Sequence, residues 1–240
     1  LGRAKRASRA AEKKFVHPSA MQPTIQEASY RHTMSLLTKG HILLEMSNMQ
    51  DTPEGKKETQ EYLRMQNLDD LVGADKKDEL FEDCVYYWQE AAEGFRKMKN
   101  FLKSSETYEL LGKNLSAAGS STDQRGTLEP YMDWDESPRV LNDDCISRAH
   151  LFFANAGKDA GHVLDIERDR RGKFQEDGNH REEKAPKAAE KWEIARELNA
   201  LHRVINNFFS AGIHALYCKE KDGATQAIRS LEQALMFYRS

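Results

Sequence analysis

The sequence predicts an all-α protein built from antiparallel helical hairpins, stacked as a repeat array or gathered into an irregular helical bundle. Three observations predict it. Apolar residues recur at helical spacing from Thr24 onward. β-branched residues are scattered, and no alternating run bounded by turn residues reads as a strand. Six prolines and fourteen glycines in 240 residues leave few places where a helix must break.

Composition bounds the reading. The chain is 39% apolar and 31% charged, which suits helix pairs with much surface for their interior. Thirty-six basic residues nearly balance thirty-nine acidic ones, so no nucleic-acid partner is expected. Cys84, Cys145 and Cys218 stand too far apart for a local metal pair or a disulfide framework. Free thiols fit a reducing compartment, so a cytoplasmic location is expected. No run of eighteen apolar residues and no signal peptide occur, and no transmembrane segment is expected.

The elements follow in order. Residues 1–22 read as a flexible basic arm, with Arg3, Lys5, Arg6, Arg9, Lys13 and Lys14 against Glu12. The helical domain is expected to span 23–240. Tyr30, Met34, Leu37, His41 and Leu44 mark a first helix from Thr24 to Asn48. Asp51-Thr52-Pro53-Glu54-Gly55 reads as a break, and Tyr62, Met65 and Leu68 mark a helix from Lys56 to Leu71 that completes a hairpin. The next helix is expected from Lys77 to Lys99, and another from Leu102 to Ala117, ended by Gly119-Ser120-Ser121. Residues 118–143, with Pro130 and Pro138 among acids, read as an irregular insertion. After a helix from Cys145 to Leu164, residues 165–186 read as a second insertion or a fraying helical extension, dense in charges of both signs. Helices are then expected at Lys187–His202, Arg203–Lys221 and Ala224–Tyr238, with Pro186 in the first turn of the first. The sequon Asn114-Leu115-Ser116 falls inside an expected helix and is a poor glycosylation site.

Two patterns recur within these helices. The first is an aromatic followed four residues later by glycine: Tyr108 and Gly112, Phe153 and Gly157, Phe208 and Gly212. A helical glycine costs about 1 kcal/mol relative to alanine, so its repetition points to close helix contacts. The second is a stripe of small, large, alanine and aromatic residues at offsets of four, seven and eleven. It occurs as Cys84-Trp88-Ala91-Phe95 and as Ala227-Leu231-Ala234-Tyr238, and in part as Ala188-Trp192-Ala195. Glycine-bearing helices paired with alanine-striped ones are what stacked hairpins require.

These residues resemble the tetratricopeptide-like superfamily, and most nearly the soluble NSF attachment proteins that recruit the SNARE-disassembling ATPase. Ala91-Ala92-Glu93-Gly94-Phe95-Arg96-Lys97-Met98-Lys99-Asn100-Phe101 is similar to their turn between two helices, and Ala227 to Tyr238 is similar to one of their second helices. The resemblance covers 84–117 and 187–238. It implies a helical-repeat fold, a place in membrane-trafficking complexes, and a protein partner with an acidic helical or extended segment.

Searching for chemistry finds no HExxH, no phosphate loop, no nucleophile elbow and no dinucleotide fingerprint. No catalytic residue, cofactor or metal ligand is assigned. His150 and His162 lie twelve residues apart, as do His202 and His214, so neither pair forms one metal-binding face. His214, beside Ala211-Gly212, reads as a packing histidine, and Trp88 and Trp192 read as equivalent core residues. Trp134, within Tyr131-Met132-Asp133-Trp134-Asp135-Glu136, is either tucked under its loop or an aromatic anchor set among acids. Arg96, Lys97, Lys99 and Lys103 form the densest basic cluster of the folded part, a solvated turn or a contact for an acidic helix. The expected partner-binding residues are therefore Arg96, Lys97, Lys99, Lys103 and Trp134. The leading functional expectation is a scaffold or adaptor that presents a helical surface to a partner helix or peptide. The alternatives are an all-α enzyme with a site assembled from dispersed residues, and a structural subunit of a larger assembly.

Overall fold

The computed structural model describes residues 18–50, 52–65, 77–119, 143–180, 187–218 and 222–239. Among them every regular element is an α-helix: α1 (Pro18–Met49), α2 (Pro53–Met65), α3 (Lys77–Lys97), α4 (Phe101–Gly119), α5 (Asp143–His180), α6 (Lys187–Tyr217) and α7 (Gly223–Arg239). Residues 1–17 of the basic arm, and 120–142 with Trp134, lie outside the described residues. The all-α expectation holds. The chain divides into two compact units, Leu1–Asn100 and Phe101–Ser240.

In the first unit α1 and α3 pack antiparallel, and each carries a glycine that admits a side chain of the other. The Trp88 indole occupies the space that a Cβ on Gly40 would take, and its Nε1–H donates to the Leu37 carbonyl at 3.2 Å. In return, a Cβ on Gly94 would meet the Thr33 hydroxyl at 2.7 Å. The stripe Cys84, Trp88, Ala91 and Phe95 is wholly buried. The main partner of α1 is thus α3, not α2 as the sequence suggested. The physical reason is composition: α1 needs an apolar face to cover, and α3 offers one, whereas α2 opens with Pro-Glu-Gly-Lys-Lys-Glu. Thr52 begins α2 as its cap, its Oγ1 accepting from Gly55 N–H at 3.1 Å, with Pro53 in the first helical position. The stretch read as a break is therefore also the start of the helix.

In the second unit α4, α5, α6 and α7 pack one against the next. Neighbouring helices run antiparallel, from Gly119 beside Cys145 to Phe101 beside His162 in the α4–α5 pair. Alternate helices also touch. Glu106 of α4 pairs with Arg203 of α6 at 3.3 Å, and Phe237 of α7 reaches Gly161 of α5. Ala160 and Leu164 of α5, Ala200, Val204 and Phe208 of α6 and Ala234 of α7 form one core.

The repeated glycines supply the notches. The ring of Phe153 in α5 lies on Gly112 of α4, that of Phe208 in α6 lies on Gly157 of α5, and Leu231 of α7 lies on Gly212 of α6. The aromatics of the second and third motifs, Phe153 and Phe208, thus fill the glycine of the helix before, whereas Tyr108 stacks on Phe152 of α5.

Two helices are longer than expected. Helix α5 continues through 165–180, and α6 runs unbroken across His202 and Arg203. Of the two readings of 165–186, the helical extension fits as far as His180. Arg171 and Arg168 pair with Glu197 at 2.7 and 3.4 Å, and Arg196 pairs with Glu167 at 3.1 Å, joining the extension to α6. No glycine or proline stands at His202 and Arg203, and Ala200, Val204 and Phe208 are buried in sequence across the expected break.

Candidate functional site

The basic cluster sits where α3 ends. Asn100 N–H donates to the Phe95 carbonyl and Lys99 N–H to the Arg96 carbonyl, each at 2.9 Å, which caps the helix. This closure puts Lys99 in the left-handed region, with φ of 58°. Glycine suits that position better, since a side chain there costs about 1–2 kcal/mol. Lys97 and Lys99 are exposed and Arg96 is half-buried. Met98 and Asn100 line a shallow depression with Gln26, Glu27 and Tyr30 of α1. Lys103 belongs to the second unit, where it pairs with Glu106 at 3.0 Å. The four residues adjacent in sequence are therefore divided three to one between the units. Trp134 lies outside the described residues.

Helix α7 is unusual in its polarity. Its inward residues are small: Gly223, Ala227, Ser230 and Ala234. Its large apolar residues Ile228, Leu235, Met236 and Tyr238 are exposed. Close approach of α6 explains the inward set, because the Ala227 carbonyl would lie 3.3 Å from a Cβ on Gly212. Ile228, half-buried Leu231, Leu235 and Tyr238 fall at offsets of three, seven and ten, on one face. Tyr238 was expected in the packed stripe but is 75% exposed. Phe237 takes the place instead, stacked on Phe208 with ring centres 6.2 Å apart.

Trp192 also departs from expectation, at 67% exposed. Near it α6 meets α5 through Arg196 paired with Glu167 and Glu197 paired with Arg171, and the indole stays on the surface.

The second unit brings together residues that local spacing left apart. Ser116 of α4 and His214 of α6 are hydrogen-bonded at 2.7 Å. His214 Nδ1–H donates to the Ser210 carbonyl at 2.7 Å, and His150 Nδ1–H of α5 donates to the Ala211 carbonyl at 2.8 Å. The ring of Phe153 lies 5.0 Å from that of His214. Burial pushes His214 below the usual histidine range, so the ring is neutral near pH 7 and Nε2 accepts the Ser116 hydroxyl proton. A hydroxyl bonded to an imidazole is the geometry of a nucleophile and its base. Here Ser116 is only 6% exposed and Nδ1 is held by a carbonyl rather than a carboxylate, so the pair serves as a contact between helices. The packing role expected for His214 fits this arrangement. Its nearness to His150 was not legible, because the two lie on different helices.

Among the described residues no group of three or more His, Cys, Asp or Glu is placed to hold a metal ion. Burial pushes the Cys84 thiol up to about 12, which keeps it protonated and unreactive. No described helix is long and apolar enough to cross a membrane. No family model, no curated protein and no solved structure matches the chain.

Proposed function

We propose that this chain is a protein-binding scaffold or adaptor of tetratricopeptide-like build, acting in the cytoplasm. The observation that carries the reading is the inverted polarity of α7, which buries its small residues and turns Ile228, Leu235 and Tyr238 outward along one face. Exposed apolar residues aligned on one helix face suit an interaction site. The packing of each helix on the next in the second unit supports the helical-repeat reading, and the wide spacing of the three cysteines in sequence suits a reducing compartment. Arg96, Lys97 and Lys99 form a second contact region, suited to an acidic helix or extended segment. Lys99 supports this, because a charged side chain stands where the backbone favours glycine. A place in membrane-trafficking complexes is part of the proposal and rests on the resemblance alone. Membership of a larger assembly is the second reading, favoured by the exposed Trp192.

The test of the basic region is the triple variant Arg96→Glu, Lys97→Glu, Lys99→Glu. Surface charges contribute little to stability, so its melting temperature should match the parent's. Its binding to the purified partner should be weaker and less sensitive to salt. Equal binding across salt concentrations removes this turn from the interface. Turnover of a small molecule by the purified parent chain removes the scaffold reading itself.

A further inference from the structure

We propose that the junction of α4, α5 and α6 is an acid-sensitive latch, closed while His214 is neutral and released when it takes up a proton. The geometry carries it. One imidazole joins three helices: its Nε2 takes the Ser116 hydroxyl of α4, its Nδ1–H is held by its own helix, and its ring lies against Phe153 of α5. Beside it, His150 fastens α5 to α6 through the Ala211 carbonyl. In the neutral state every polar atom of the His214 ring is satisfied. Protonation leaves the Ser116 oxygen able to accept, but it places a net charge in a half-buried site whose two ring partners are uncharged oxygens.

Among the described residues no carboxylate is a hydrogen-bond partner of the ring. From α5 the titratable group bearing on it is His150, whose own protonation opposes that of His214. On α4, Lys113 is bound to Glu109, and on α5, Arg148 pairs with Asp144 at 3.5 Å, in exposed ion pairs. On α6 the Cys218 thiol donates to the His214 carbonyl, away from the ring. Helix α7 approaches through Gly223, which brings no charge, and the neighbouring Asp222 is exposed.

The direction in pH follows. Burial, with His150 as a lesser cause, lowers the affinity of folded His214 for a proton below that of the unfolded chain. The unfolded state therefore binds more protons as pH falls below about 6.5. The stabilisation is complete above that value. It is lost on acidification, at up to about tenfold in the folded-to-unfolded ratio per pH unit, until the folded group itself titrates.

The experiment measures urea unfolding of the full chain from pH 7.5 to 5.5 for the parent and for His214→Gln. It is paired with an NMR titration of the parent's imidazole protons, assigned by the variant or, should that fail to fold, by His214→Asn or by labelled-histidine contacts to Phe153. The ratio of parent to variant folding constants is expected to fall as pH drops below 6.5. The His214 ring is expected to titrate below 6.5, and amide exchange corrected for its intrinsic pH dependence is expected to quicken first around Ser116. Parallel pH profiles for the two chains overturn the proposal. So does a His214 midpoint at or above 6.5, which decides the matter alone if neither variant folds.

Discussion

The ring of Phe153 lies so close over Gly112 that a Cβ on that glycine would meet three ring atoms at 2.9 Å. Two helices thus touch through one residue that lacks a side chain and one that fills the gap. Gly112→Ala is expected to destabilise by roughly 1–3 kcal/mol, because the ring must shift within a close-packed interface. Gly172 is the control, since nothing lies within 4 Å of its would-be Cβ. Gly172→Ala is expected to stabilise by up to about 1 kcal/mol through helix propensity. Chemical denaturation of the two variants checks both signs. A neutral or stabilising Gly112→Ala would contradict the interlock.

The two tryptophans in matching stripes should behave oppositely. Trp88 is fully buried in the notch of Gly40, with the His41 ring edge-on at 5.1 Å. Trp88→Ala is expected to cost about 3–5 kcal/mol. Trp192→Ala is expected to stay within about 0.5 kcal/mol of the parent, as exposed substitutions do. Thermal melts and tryptophan fluorescence on unfolding would show it. A large red shift from the Trp192-only chain would mean that this indole is covered.

Much of this was legible in the sequence, and the failures have physical causes. The glycines at 112, 157 and 212 marked close contacts because glycine is costly inside a helix, and the structure places a side chain on each. Which side chain does so was not legible, since Phe153, Phe208 and Leu231 come from the following helices. The stripe at Cys84 succeeded because all four of its positions face α1. Those at Trp192 and Tyr238 did not, because spacing reports which residues share a face but not whether a partner covers it. Helix α5 was cut short for a similar reason. Its charged continuation looked soluble until Glu167 and Glu197 met arginines across the helix pair. The junction of Ser116, His150 and His214 was the least legible, as it needs three helices to assemble.

The cap of α3 gives a third expectation. Lys99→Gly should raise stability by about 1 kcal/mol, because it removes a side chain from the left-handed region. The same variant should weaken binding to an acidic partner. Denaturation midpoints and partner titrations read the two effects separately. A destabilised Lys99→Gly would mean that the lysine side chain holds the turn together.

The most direct measurement of the scaffold reading concerns α7. Ile228→Asp with Leu235→Asp alters only the exposed face, so the folded protein should melt close to the parent temperature. Quantitative affinity capture should then be run with parent and variant, followed by titration of the purified captured protein. The account predicts a saturable partner for the parent and a loss of that binding by the variant, with helicity unchanged. A variant that binds the same purified partner as tightly as the parent would contradict the claim that α7 presents the binding surface.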